Sequence, residues 1–130
     1  MTPPSLRFTT SNYRTYRPAM GVAIRTTVGA PRWFRQKHVH ARLASPYGIF
    51  GVYERENEYR EHYLYRLDRA GYDVIAELDD LTGGVGGCLL CFCVLEKTFC
   101  HRRMLAEWLE TRHGLHVPEH DGQPRLWAVD

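Results

Sequence analysis

Residues 88–95, Cys-Leu-Leu-Cys-Phe-Cys-Val-Leu, form an unbroken apolar run, and no other stretch constrains the fold as much. A strand with one wet face alternates apolar and polar side chains. A continuous run of this length fits a strand covered on both faces, as in parallel sheets. A helical pattern follows at about 100–112, with Met104, Leu105, Trp108 and Leu109 along one side and Gly114 beyond its end. Upstream, in 54–69, Tyr59, Tyr63 and Leu67 recur at four-residue spacing, Leu64 widens the stripe, and acidic residues crowd the first turn. Gly71 stops that helix, and Asp73 is the expected N-cap of a second one bearing Val74, Ile75, Leu78 and Leu81. A helical pair thus feeds a buried strand, which feeds another helix. The expected fold class is α/β: a single compact three-layer domain spanning 1–130, with a mostly parallel central sheet and helices on both faces.

The front of the chain adds two expected strands, 6–10 and 22–28, joined by a loop over 11–21. Residues 29–48 read as a long basic and aromatic loop with a helical turn near 38–43, residues 1–5 as flexible, and 115–130 as a C-terminal strap or edge strand. The glycines of 83–87 are not a phosphate-cradling loop, because a strand follows them and no Lys-Ser/Thr does. No apolar run approaches the about 20 residues that span a bilayer, and the first five residues are too short and polar for a signal peptide. The expectation is a cytoplasmic protein without a membrane partner. Fifteen arginines against two lysines suggest a GC-rich bacterium or one of its phages.

Charge is divided unevenly. Residues 1–53 hold no Asp or Glu but carry Arg7, Arg14, Arg17, Arg25, Arg32, Arg35, Lys37 and Arg42, a balance of +8; the remainder carries −6, giving the net +2. Such asymmetry fits an anionic partner for the front half, or pairing of the two halves with each other inside the fold or across a dimer. Within 32–42, Arg32, Trp33, Arg35, Lys37 and Arg42 interleave cations with an aromatic ring, the combination that grips single-stranded nucleic acid. Cations meet phosphate and rings stack on bases. The alternative is a solvated basic loop anchored by Trp33 and Phe34.

All four cysteines, Cys88, Cys91, Cys93 and Cys100, lie in one short segment. A secreted disulfide framework would spread them, so the clustering points to reduced thiols, with Cys88 and Cys93 as small core hydrophobes. Ligands of parallel sheets sit beyond the carboxyl ends of strands, near helix N-termini. The segment from Cys91 to Arg102 occupies such a place. Cys100, at the helix start, is a candidate reactive thiol, with Cys91 beside it; His101 is a candidate acid or base; Arg102 supplies a fork for phosphate or carboxylate. Arg25, Arg17 and Tyr13 are candidate substrate contacts. Each has a quieter reading, with Cys100 an inert thiol, His101 a hydrogen-bonded core residue and Arg102 paired with an acid such as Glu96. Zinc would need Cys91, Cys93, Cys100 and His101 together, a spacing that suits it poorly; no metal and no cofactor is expected.

The strand ending Leu89-Leu90-Cys91 and the helix opening Cys100-His101-Arg102-Arg103-Met104-Leu105-Ala106-Glu107-Trp108-Leu109 resemble domain-of-unknown-function family 488. So do Thr9-Thr10-Ser11-Asn12-Tyr13, Tyr16-Arg17-Pro18, Met20-Gly21-Val22, Arg25 and Ser45-Pro46-Tyr47-Gly48-Ile49-Phe50, which extends the resemblance over nearly the whole chain. It implies a compact α/β fold with a pocket near the Cys-His-Arg block, and no activity. Cys93 departs from the acidic residue usual at that position, which puts in doubt any chemistry a carboxylate would perform there. Two functions remain open. One is an enzyme or binding domain acting on an anionic small molecule, nucleotide or nucleic acid. The other is a non-catalytic module whose basic front half docks on nucleic acid or an acidic protein. The oligomeric state is left open.

Overall fold

The computed structural model describes residues 8–49, 51–92 and 101–120. The strands are β1 (Phe8–Asn12), β2 (Val22–Arg25), β3 (His38–His40) and β4 (Gly87–Cys91), and the helices are α1 (Glu56–Ala70), α2 (Asp73–Thr82) and α3 (His101–His113). The four strands form one parallel sheet in the order β1-β4-β2-β3. The chain is an α/β protein. β4, the described part of the apolar run, lies between β1 and β2 and is buried along its whole length.

Side-chain alternation on these strands builds two cores. Phe8, Ile24 and Leu89 point to one face, where Tyr63 and Leu67 of α1, Val74 and Leu78 of α2, and Leu105 and Leu109 of α3 join them. Ala23, Cys88 and Leu90 point to the other, against Tyr13, Tyr16, Met20 and Phe34. Cys88 is therefore a core hydrophobe. The α2 helix, at ten residues, is too short to persist alone in water. It is held by Val74, Ile75 and Leu78, each such burial contributing about 1.5–3 kcal/mol.

The two outer layers differ in kind. Helices were expected on both faces, yet all three described α-helices join the first core. The second face is covered by a short 3-10 helix, Pro18–Met20, and by aromatic side chains from loops. The cause is connection length. A parallel crossover through an α-helix needs a dozen or more residues, whereas the link between β1 and β2, which skips over β4, is made in residues 13–21.

Several boundaries also move. Residues 38–40 pair as strand β3, Ile24 opposite Val39 and Arg25 opposite His40. The turn expected at 38–43 therefore begins only after His40, closing where Ser45 N donates to the Arg42 carbonyl at 3.2 Å. The loop expected over 29–48 thus contains a strand. β2 ends at Arg25, short of the expected 28: Thr26 still donates from N and Oγ1 to the Leu90 carbonyl of β4, and Thr27 turns into a loop contact with the Gly29 carbonyl. Asp73 is the first residue of α2 and not its cap: Tyr72 holds that position without a side-chain bond, and the Asp73 carboxylate meets the positive helix end instead. Gly71 closes α1 with φ 59°, donating to the Leu67 carbonyl. The strap pairs with β1 as an isolated parallel bridge. Thr10 N donates to Pro118 O at 3.0 Å and His120 N donates to Thr10 O at 2.6 Å, covering an edge otherwise open to pairing. Residues 1–7, Phe50, 93–100 (with Cys93, Glu96 and Cys100) and 121–130 lie outside the described residues. No described helix is long and apolar enough to cross a membrane.

Candidate anion site at the carboxyl edge of the sheet

Because the strands are parallel, their last residues, Asn12, Arg25, His40 and Cys91, share one edge, and the first turn of α3 lies in the chain segment that follows β4. His101 and Arg102, the first residues of α3, are 7% and 1% exposed. The His101 Nε2–H donates to the Thr26 carbonyl at 2.8 Å and lies 3.2 Å from Thr26 Oγ1, whose own proton goes to Leu90 O at 2.7 Å. Tyr63 stands edge-on to the imidazole at 5.6 Å. Burial holds His101 below the ordinary imidazole range, outweighing the opposing pull of the Cys91 sulfur and the Thr26 carbonyl. His101 is thus a neutral tie between the end of β2 and the start of α3.

Arg102 ties the other side. Its Nη2 and Nε donate to Glu119 at 2.6 and 3.3 Å, and its Nη1 reaches Cys91 Sγ at 3.2 Å. Thr10 Oγ1 donates to the same carboxylate at 2.7 Å. The guanidinium expected to grip a ligand is therefore matched to an acid of its own chain. Cys91 is fully buried beneath it. Cys100, the third member of the expected trio, lies outside the described residues.

Arg25 is placed differently. It ends β2 on the face opposite the α-helices, partly exposed, and its Nη2 donates to His40 Nδ1 at 2.8 Å. That bond fixes the His40 tautomer. Nδ1 accepts, so Nε2 carries the proton and donates to Ser45 Oγ at 3.1 Å, while Ser45 passes its own proton to Ala41 O. Burial, then the charges of Arg25 and Arg42, hold His40 below its ordinary value. The imidazole is neutral at pH 7, and Arg25 faces no carboxylate among the described residues. Its Nε–H is buried without a partner there. Tyr13 lies close enough for the Arg25 charge to favour its phenolate, yet burial dominates and pushes the phenol up to about 12. Because Thr27 Oγ1 donates to Gly29 O at 2.6 Å, the Tyr13 hydroxyl donates to Thr27 Oγ1 at 2.6 Å.

The other described front-half cations likewise meet no carboxylate among the described residues. Arg14, Arg17, Arg32, Arg35, Lys37 and Arg42 are exposed, and none forms an ion pair with a described residue. Arg17 braces its own turn, donating to the Thr15 and Tyr16 carbonyls. The pairs Arg55–Glu58, Arg60–Glu107, Arg102–Glu119 and Arg112–Asp68 all lie in the later half. Among the described residues the two halves therefore form no ion pair with each other inside the fold. Among the described residues no three His, Cys, Asp or Glu side chains gather into a metal-holding group.

Sequence reasoning missed Glu119, Thr26, Thr27, Ser45, Phe92 and the role of His40. Glu119 and Thr26 carry no local signal, since each meets its partner only through the order of strands. His40 lies within the basic, aromatic stretch 32–42, where a turn near 38–43 was expected. Phe92 lay inside the apolar run and was read as covered, whereas it is 52% exposed just past the end of β4.

No family model, curated protein or solved structure matches this chain.

Proposed function

We propose that this protein binds a phosphate-bearing ligand of nucleotide type at the carboxyl edge of its sheet, with Arg25 as the charged contact. The observation that carries this reading is the state of Arg25, a partly buried guanidinium with an unpartnered buried N–H and no carboxylate among the described residues. Leaving such a donor unsatisfied costs about 1–3 kcal/mol, more when charged. A ligand oxygen placed beside Nε would remove that cost. A neutral His40 accepting from Nη2 holds the fork in one orientation, which favours a planar, bidentate grip on phosphate or carboxylate.

In this reading His101 and Arg102, the described residues of the block that resembles domain-of-unknown-function family 488, support the site from below. His101 fixes the Thr26 turn, and Arg102 locks Cys91 to the strap. Both are positioning residues, and the role first expected of Arg102 passes to Arg25. The test is thermal unfolding with inorganic phosphate and with adenosine monophosphate. A ligand at a hundred times its Kd raises stability by about 2.7 kcal/mol. Arg25→Gln should abolish that rise while leaving the unliganded melting temperature nearly unchanged. A phosphate effect equal in wild type and Arg25→Gln sinks the reading.

A further inference from the structure

On the face that carries no described α-helix, rings connect into a ridge. Trp33 contacts Phe34 with centroids 6.3 Å apart, Phe34 contacts Tyr13 at 4.9 Å, and Tyr13 contacts Phe92 at 5.3 Å, all edge-on. The two middle rings are buried, at 8% and 2% exposure, and serve as the base of the ridge. The two end rings are not, Trp33 being 57% and Phe92 52% exposed. Two large aromatic surfaces are thus held toward solvent by one buried hub, on loops that follow different strands. Exposed Arg32, Arg35 and Lys37 flank Trp33, and exposed Arg14 adjoins Tyr13; none has a carboxylate partner among the described residues.

We propose that this ridge is a docking surface for single-stranded nucleic acid, with bases stacked on Trp33 and Phe92 and phosphates met by Arg32, Arg35 and Lys37. It rests on the anion reading above for one point only, that Arg25 takes a phosphate of the same strand. Three features favour this partner over other polyanions. Rings pinned by edge contacts cost little ordering entropy when a base stacks on them, and every base offers a face to stack. Duplex DNA keeps its bases paired and stacked within the helix, so exposed rings would find nothing there. A lipid surface is gripped by an extended apolar helix face with a basic rim; this loop offers Trp33 alone as an exposed apolar side chain between its cations.

The test uses the full chain and fluorescence anisotropy with labelled dT12 and U12. A duplex of equal length, heparin and anionic phosphatidylserine vesicles serve as competitors. We expect single strands to bind with an affinity that falls steeply with salt and to quench Trp33 fluorescence. Trp33→Ala and Phe92→Ala should each weaken dT12 binding roughly 5- to 150-fold, without unfolding the protein, because both rings are largely exposed. The double charge reversal Arg32→Glu/Arg35→Glu should abolish binding. Heparin, duplex or vesicles bound as tightly as dT12, or no loss in either ring variant, would overturn the proposal in favour of a plain basic face. So would an absence of dT12 binding at low salt while phosphate still binds. Strand binding that needs Trp33 but ignores Arg25→Gln keeps the ridge and removes only the Arg25 site.

Discussion

The Arg102 guanidinium meets the Glu119 carboxylate through two bonds, Nη2 to Oε2 at 2.6 Å and Nε to Oε1 at 3.3 Å. The pair is unequal, because the arginine side chain is 2% exposed and the glutamate 35%. Removing Glu119 takes its described carboxylate from a cation that water cannot reach, whereas removing Arg102 leaves a carboxylate that water can solvate. Glu119→Ala should therefore destabilise the fold by about 3–5 kcal/mol. Arg102→Met should cost less, and the double variant should be more stable than Glu119→Ala alone. Urea unfolding of the three proteins checks this; a double variant no better than Glu119→Ala would refute the account.

That pair also marks the limit of what the sequence could disclose. The central strand was legible because residues 88–91 had to be covered on both faces, and α1 and α3 because Tyr59, Tyr63, Leu67 and Met104, Leu105, Trp108, Leu109 repeat with helical spacing. The carboxyl edge on which the candidate site is proposed was legible, because a common edge follows from parallel strands. Which arginine there meets a carboxylate of its own chain was not legible. Arg25 and Arg102 look alike in sequence, and only strand order decides that Glu119 lands on one and His40 on the other. β3 was hidden for a similar reason: three residues carry too little periodicity to be told from a turn, and it is the pairing of Ile24 with Val39 that makes them a strand.

A second consequence of strand order falls on Gly87. Its Cα lies 3.4 Å from where a Cβ on Gly21 would sit, and a Cβ of its own would strike the Val22 carbonyl oxygen and crowd Val22 Cβ and Ile24 Cδ1 at 3.1 Å. The carbonyl belongs to the adjacent strand and cannot rotate away as a side chain would. Gly87→Ala should destabilise by about 1–3 kcal/mol or more through overpacking between β2 and β4. Gly29→Ala, where a Cβ meets nothing within 4 Å, is the control and should leave the melting temperature within a few degrees. Equal melting temperatures for the two variants, followed by circular dichroism, would contradict this packing.

Burial also decides the chemistry of the described cysteines. Cys88 and Cys91 are fully buried thiols, and burial pushes Cys88 up to about 12. At pH 7 its thiolate fraction is then roughly one in 10⁵. Neither residue should react with iodoacetamide in the native state at a rate above that of global unfolding. Both should react rapidly in urea, as read by peptide mass spectrometry. Fast native labelling of Cys91 would return it to the role of reactive thiol and remove it from the Arg102 tie.

Acid should loosen the carboxyl edge before it unfolds the rest. His40 and His101 are both held below the ordinary imidazole value of 6.5, in each case chiefly by burial. The unfolded chain therefore takes up protons at these positions before the folded one does as pH falls. The stability from keeping them neutral is complete above about pH 6.5 and is lost as pH drops through their lowered folded values. Unfolding free energy measured in urea should be smaller at pH 5.5 than at pH 7.5. His101→Gln keeps an amide N–H for the Thr26 carbonyl but has nothing to titrate, so it should flatten that dependence, and His40→Gln should do so in part. The same change between the two pH values in wild type and both variants would mean that neither imidazole is held neutral by the fold, and the tie from α3 to β2 would lose its physical basis.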